Sequence, residues 1–447
     1  MKKIFLLFLF VSANLIAISQ ATNISPYSRY ALGDINPMWF GQNTALGGST
    51  VAVVDSFQVN VLNPASYSFT AFQNPVFDIS LKGRLVNLST STATTKANYY
   101  HMNNIVLALP ISRRVGAAFG MMPFSTSGYN ITYGQVDDAL GGTVNTFYQG
   151  QGGINKVFVG TSIMAVKTNT NWFSIGGNVS YLFGDMEETR KLTFPSQTGL
   201  LNSKVINSLY ARDFMVDGGI FYRNKINEMN QVSVGFSAAF GTNIACRRSV
   251  LAHTMAPVTE SFVDTVLYIE SEKGNVFIPP RYSFGITYDI KPDPKTSKKY
   301  KLSLTAQYNY QDWNKYKEDF PSSVYTDTLR SSNGINFGVQ FIPHVLSIGS
   351  GKVSPLKLTN YRIGFYTNKN YLNINDNSIN NWGVTAGIGI PFTNSVSYSM
   401  LNISFEYGQR GTTANNLLLE KYYGLHIGIA FSPNKNVDRW FVKRKYD

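Results

Sequence analysis

Residues 401 to 407 read Leu401, Asn402, Ile403, Ser404, Phe405, Glu406, Tyr407, an apolar/polar alternation with a period of two. Side chains on a strand point alternately to opposite faces, so this pattern predicts a strand with two unlike sides. The last such run sets Tyr423, Leu425, Ile427, Ile429 and Phe431 on one face and Tyr422, Gly424, His426, Gly428 and Ala430 on the other. The same reading gives candidate strands at 76–88, 100–110, 114–124, 152–167, 171–187, 203–225, 229–246, 280–291, 299–314, 332–343, 358–368, 380–391, 397–410 and 419–432. About fourteen long amphipathic strands with little helical signal predict an all-β fold, a transmembrane antiparallel β-barrel whose apolar face meets lipid and whose other face lines a lumen.

The connections sort into two kinds, as they do at the two ends of such a barrel. Short links fall at 111–113, 168–170, 224–228 and 292–298, and long ones at 125–151, 188–202, 247–279 and 315–331. Strand parity places every long link on the outer side. Within 247–279 the run Phe262, Val263, Val266, Leu267, Tyr268 and Ile269 has the makings of a further hairpin, but it is assigned here to the loop.

Composition agrees with a barrel. The chain has 447 residues, 44% of them hydrophobic, with a mean hydropathy of -0.10, too polar for a bundle of membrane helices. Aromatics reach 14%, in keeping with strand propensity and with interfacial girdles. Lys2 and Lys3, an apolar run from Ile4 to Ile18, and small residues at Ser19 and Ala21 predict a secretory signal peptide over 1–21. Export to a Gram-negative outer membrane follows as the expectation.

The net charge of +13 then suggests an anionic membrane surface rather than nucleic acid. Its densest cluster is a tail at 433–447, where Arg439, Trp440, Phe441, Lys443, Arg444 and Lys445 could anchor in headgroups or dock on a periplasmic partner. The single cysteine, Cys246, forms no intramolecular disulfide and supplies no metal-ligand spacing.

Residues 22–75 lack sustained alternation yet carry Leu46, Val51, Val53, Val54, Val59 and Leu62, enough apolar surface to need a partner. In a barrel that partner is the lumen wall, so the segment is expected to be a hatch, followed by the barrel proper over 76–432. It contains Gly47 and Gly48, then Asp55, then Asn60, then Asn63, Pro64 and Ala65 just before the first strand. Asn63 can cap its own turn while Pro64 fixes φ, and paired glycines permit close backbone approach. This ordered set resembles the hatch signature of the FadL family of outer-membrane transport proteins, and the stretch from Ser25 to Asp34 and the tail resemble its Bacteroidota-type variants.

The resemblance implies a fourteen-stranded barrel closed by a hatch, with uptake of a hydrophobic small molecule through a wall opening. Trp39, Phe40, Leu46, Val53 and Phe57 are the hatch residues expected to contact such a ligand. Some FadL-like barrels of that phylum resemble non-transporting subunits of secretion or outer-membrane assembly machines, which implies a second reading: an adaptor that binds other envelope proteins. Uptake predicts an apolar cavity between hatch and wall. An adaptor predicts a blocked lumen and exposed apolar patches on loops or tail.

Asp78, Lys82, Arg84, Asp289, Lys301, Arg362 and Glu406 are placed facing the lumen, a polar lining that any barrel of this kind would carry. Ser404, Glu406 and His426 have the residue types of a nucleophile, orienter and base, but they lie within the wall rather than at a rim, and His101, His253 and His344 have no such company. Neither catalytic chemistry nor a metal or cofactor is expected, since there is no HExxH, phosphate loop or paired cysteine.

Overall fold

The structure is a computed structural model that describes residues 23–293, 299–324, 329–345, 354–394 and 397–433. The expected signal peptide and the tail residues Arg439, Trp440, Phe441, Lys443, Arg444 and Lys445 lie outside the described residues.

Fourteen antiparallel strands close into a barrel. They are β1 Val76–Ser89, β2 Thr94–Pro110, β3 Val115–Thr126, β4 Gly142–Lys167, β5 Asn171–Thr193, β6 Asn202–Lys225 and β7 Asn230–Ala239. The wall continues through β8 Arg281–Ile290, β9 Lys301–Gln311, β10 Ser332–Ile342, β11 Asn360–Ile374, β12 Asn377–Asn394, β13 Ser397–Gly411 and β14 Leu419–Phe431. Each pairs with the next, and β14 closes on β1 in a register that sets Ile427 opposite Leu81. The alternation reports the faces directly: Ile427 is 40% exposed and points outward, whereas its neighbour His426 is 6% exposed and points into the lumen.

Three segments expected as loops are instead sheet. Tyr129–Asp137 pairs with the first residues of β4, and β4, β5 and β6 run on past the wall. Beyond β6 comes Thr242–Met255, which pairs in turn with Phe262–Ile278. Together they form a six-stranded extension standing above one side of the barrel, so the loops at 125–151, 188–202 and 247–279 are corrected to strands joined by tight connections. Solvent reaches both faces of this extension, so its sequence has no need of alternation and the period-two signal is lost. In the 315–331 link, Lys317–Phe320 pairs with Asn275–Phe277 at the base of the same sheet.

The strand expected over 229–246 is really two, β7 and Thr242–Met255, laid end to end along β6 with Phe240 N–H bonded to Val216 O at 3.0 Å between them. On the partner side Pro279 and Pro280 separate Phe262–Ile278 from β8, because a proline has no N–H to give a ladder.

The wall opens between β2 and β3. The β2–β3 ladder runs only from Ile105 opposite Met121 to Pro110 opposite Gly116. Above it, the outer half of β3 turns to the hatch, pairing Thr126 with Asp34 and Ser125 with Ile35, while Phe124 O accepts from Asn36 N–H at 2.9 Å.

The hatch fills the lumen with two apolar cores. An inner one, at the short-turn end, gathers Phe40, Val51, Val59, Val61, Leu62 and Tyr67 against wall residues Val76, Val106, Ala108, Ala118, Phe158 and Ala430. An outer one packs Tyr27 and Leu32 beneath Trp313, Tyr316, Phe320, Tyr371, Leu372, Ile379 and Leu417, which come from the outer strand ends and their connections. Both cores are built from side chains that water disfavours.

Candidate functional site

The hatch signature builds the seam between hatch and wall. Asn63 Oδ1 accepts from Ala65 N–H at 3.1 Å, capping a 3-10 turn that starts at Pro64, while its Nδ2 donates to Val51 O at 2.8 Å and to Ile220 O of β6 at 3.1 Å. Ala65 O accepts from Ser174 Oγ of β5 at 2.7 Å. Asn60 Nδ2 donates to Thr50 O and Val53 O at 2.7 and 3.0 Å, and Asp55 caps Phe57 N–H at 2.8 Å. Gly47 has φ +63° and lies so near β11 that a Cβ would stand 2.8 Å from Phe365 N, and Gly48, at φ +75°, has the Trp39 ring where its Cβ would be. Gly47 N–H in turn donates to Thr385 Oγ1 at 3.0 Å. A glycine is required at both places on conformational and steric grounds.

Between the two cores lies a cavity of about 250 Å³. Its floor includes Met38 and Leu62 and its roof Trp313 and Tyr371, but its walls are polar: Asn309, Asn333, Asn336, Asn368 and Asn381 line it together with Lys82, Arg84, Arg281, Arg410, Asp34 and Glu406. Tyr99 and His101, on the half of β2 that β3 leaves unpaired, also line it, so the cavity reaches the break in the wall.

Two carboxylates organise the charges. Glu406 accepts from Arg84 Nη2 with both oxygens at 2.9 Å and from Tyr366 Oη at 2.6 Å, and lies 3.1 Å from His426 Nε2. The Arg84 guanidinium also sits 4.3 Å above the Tyr422 ring. Asp34 of the hatch accepts from Arg410 of β13, whose Nε donates to Glu420 Oε2 at 2.9 Å, and Ser25 Oγ donates to Glu420 Oε1 at 2.6 Å.

All seven ionisable residues expected in the lumen face it. Asp289 accepts from Ser303 and Gln231 and pairs with Lys301 at 3.5 Å, Arg362 donates to Gln340 and Asn402, and Asp78 accepts from Asn104 at 2.9 Å. Sequence reasoning missed Lys156 with Asp217, a fully buried ion pair between β4 and β6, as well as Asp34, Arg281, Arg410 and Glu420. Lys156 and Asp217 sit at inward positions of alternating runs and could have been found by the same period; Asp34 lies in the aperiodic hatch and could not.

The five expected ligand contacts do not converge. Trp39 lines the cavity and meets Tyr366 edge to face at 5.1 Å, Phe40 belongs to the inner core, and Leu46 and Val53 border a separate void of about 20 Å³ beside Asp289 and Lys301. Phe57 lines neither space. Ser404 and His426 are register partners, yet His426 meets only Glu406 among the described hydrogen bonds of the trio, and that carboxylate is already held by Arg84. His101 stacks on Tyr99, with ring centroids 6.0 Å apart, and His253 packs against Phe262. Among the described residues no group of three His, Cys, Asp or Glu could hold a metal ion.

This architecture is similar to that of three solved proteins of low sequence identity. The Ralstonia pickettii toluene transporter TbuX is 11% identical, with a TM-score of 0.55 over 89% of this chain and 98% of that one. A Pseudomonas aeruginosa FadL homologue is 9% identical, with a TM-score of 0.56 over 90% and 99%. The Pseudomonas putida toluene transporter TodX is 12% identical, with a TM-score of 0.54 over 91% and 100%. These likenesses concern the fold alone. No curated protein matches the sequence. The family model described as BamG matches residues 1–447.

Proposed function

Because the chain belongs to the BamG family, a FadL-like barrel in architecture, we propose that it is a non-transporting structural barrel of the outer membrane, an adaptor subunit of a protein secretion or assembly machine. The observation that carries this reading is the polar lining of the lumen. An uptake channel needs a continuous apolar path for an apolar molecule, and here the space between two apolar cores of hatch and wall is lined by charges and amides. Dragging a hydrocarbon past those groups strips their hydrogen bonds, at about 1 to 3 kcal/mol for each group left unpaired.

The six-stranded extension supports the same reading from outside. On Phe262–Ile278, Val266 is 71% exposed, and Phe262, Val263, Leu267 and Tyr268 are exposed as well, a concentration of apolar side chains above the lipid-facing band. From Phe262 to Ser271 this strand pairs on one side only among the described residues, and an apolar strand with a free edge is a natural place for another chain to add. Fold likeness to toluene transporters, and the break between β2 and β3 beside the cavity, favour the second reading, uptake of a hydrophobic small molecule.

Gentle purification from native membranes separates the two. An adaptor brings envelope proteins with it in fixed ratio, and loses them when residues 256–271 are replaced by a short Gly-Ser turn. A carrier yields bound hydrocarbon or lipid and no such partners.

A further inference from the structure

Four cations face only two carboxylates around the central cavity. Both carboxylates are already engaged: Glu406 by Arg84, Tyr366 and His426, and Asp34 by Arg410 and Asn23. Two cations are left over. Lys82 is 7% exposed, borders the cavity and takes part in no hydrogen bond or ion pair among the described residues. Among the described residues Arg281, at the outer end of β8, donates only to Met38 Sδ, at 3.7 Å, and Asp217, the carboxylate whose charge acts on it, is already paired with Lys156. Around them Asn36 Nδ2, Asn368 Oδ1 and both ring nitrogens of His101 are buried without a protein partner.

A cation buried between apolar cores costs several kcal/mol unless an opposite charge accompanies it or it gives up its proton, which a lysine can do and an arginine does not. We propose that this cavity is a binding site for a small hydrophilic oxyanion, a phosphate- or carboxylate-bearing molecule whose cationic contacts are Arg281 and Lys82. Arginine offers a planar fork of donors matched to such groups, and lysine a compact charge. The surrounding amides complete a hydrogen-bonding shell that an alkyl chain or an aromatic hydrocarbon could not satisfy. Trp39 comes from the hatch and Trp313 from an outer connection, so an anion held between them would also tie hatch to wall.

Those two tryptophans make the test direct. The full-length protein in detergent micelles is titrated with inorganic phosphate and, separately, with glucuronate, each against sodium chloride at matched ionic strength, while tryptophan emission is followed. A saturable change is expected with phosphate or glucuronate and none with chloride. Arg281→Gln or Lys82→Gln should weaken it about ten-fold or more, and exposed Lys167→Gln should not. Heat-shifted mobility on gels checks that each variant is a folded barrel, and two independent variants guard against one failing to fold.

Mass spectrometry of protein denatured straight from membranes covers an anion trapped during folding, and distinguishes a soluble acid from a lipid phosphate that entered through the wall break. A response equal in Arg281→Gln, Lys82→Gln and wild type overturns the proposal. So does the joint absence of a saturable response and of any co-purified phosphate- or carboxylate-bearing molecule. Neither result bears on whether envelope proteins co-purify, so this proposal and the adaptor reading fail separately.

Discussion

Arg410 of the wall grips Asp34 of the hatch through both of its terminal nitrogens, at 2.8 and 3.1 Å, across 376 positions of sequence. The same guanidinium reaches Glu420 and Ser25, and stacks 4.9 Å over the Tyr27 ring, so one wall residue ties together three residues of the hatch's outer segment. This is the hatch's one ion pair with the wall among the described residues.

Removing that grip should loosen the outer half of the hatch while the wall stays intact. Arg410→Met leaves Asp34 and Glu420 without their cation, and breaking a partly buried pair from one side is expected to cost about 3 kcal/mol. Limited proteolysis should then cut within residues 23–35, which wild type protects. Asp34→Asn keeps part of the hydrogen bonding and should cut more slowly than Arg410→Met.

Lys156 and Asp217 make a stronger case, because both are buried where β4 and β6 face the lumen. Asp217→Asn strands a lysine with no exposure at all and should destabilise the barrel by about 3 to 5 kcal/mol in urea unfolding. Combining it with Lys156→Met should recover most of that loss, because two neutral groups carry no charge to desolvate. Equal stability of the single and double variants would mean that the pair is not desolvated as the structure has it.

The lipid face has its own signature. Ile427→Arg places a charge against hydrocarbon and should cost about 2 to 4 kcal/mol near the midplane. The neighbouring Gly428 faces inward, and its Cβ would lie 3.2 Å from the Cα of Gly41 in the hatch, so Gly428→Arg acts by displacing the hatch instead. Unfolding in lipid should report the first change, and proteolysis of residues 36–50 the second.

The wall was legible because every strand there separates lipid from lumen, and that contrast forces a period of two which survives even the bend in β3. Where the contrast vanishes, so does the signal: Val263, Val266, Leu267 and Tyr268 form part of a true strand, yet water on both of its faces removes the alternation that would betray it. The hatch signature was readable as turn chemistry, Asn63 and Pro64 above all, but its contacts were not. Gly47 meets Thr385 and Asp34 meets Arg410 across more than three hundred positions, and nothing local records such pairings. The expected apolar site failed to gather for a related reason: Trp39, Phe40, Leu46 and Val53 are close in sequence but are divided by the path of the hatch between the cavity, the inner core and a second void, and Phe57 lies in none of these.

The last prediction concerns pH and the outer sheet. Glu272 on Phe262–Ile278 accepts from Ser322 Oγ at 2.7 Å and from Arg248 Nη2 at 2.8 Å, joining the hairpin to the 315–331 link at the base of the extension. The hydrogen bonds from Ser322 first, and then Arg248, hold its carboxyl below the ordinary glutamate value. A group whose folded pKa is depressed contributes stability that is fully present above its unfolded value and is lost as pH falls through the folded one. The clasp should therefore persist as pH drops through the usual glutamate value of about 4.3 and open only below it. Hydrogen exchange of residues 262–274, followed from pH 7 downward, should show protection lost at a lower pH in wild type than in Ser322→Ala, where the leading cause of the shift is gone. Coincident loss of protection in the two proteins would separate Glu272 from the stability of the hairpin, and would leave the Arg248 guanidinium, stacked 4.6 Å over Phe320, as the contact that holds it in place.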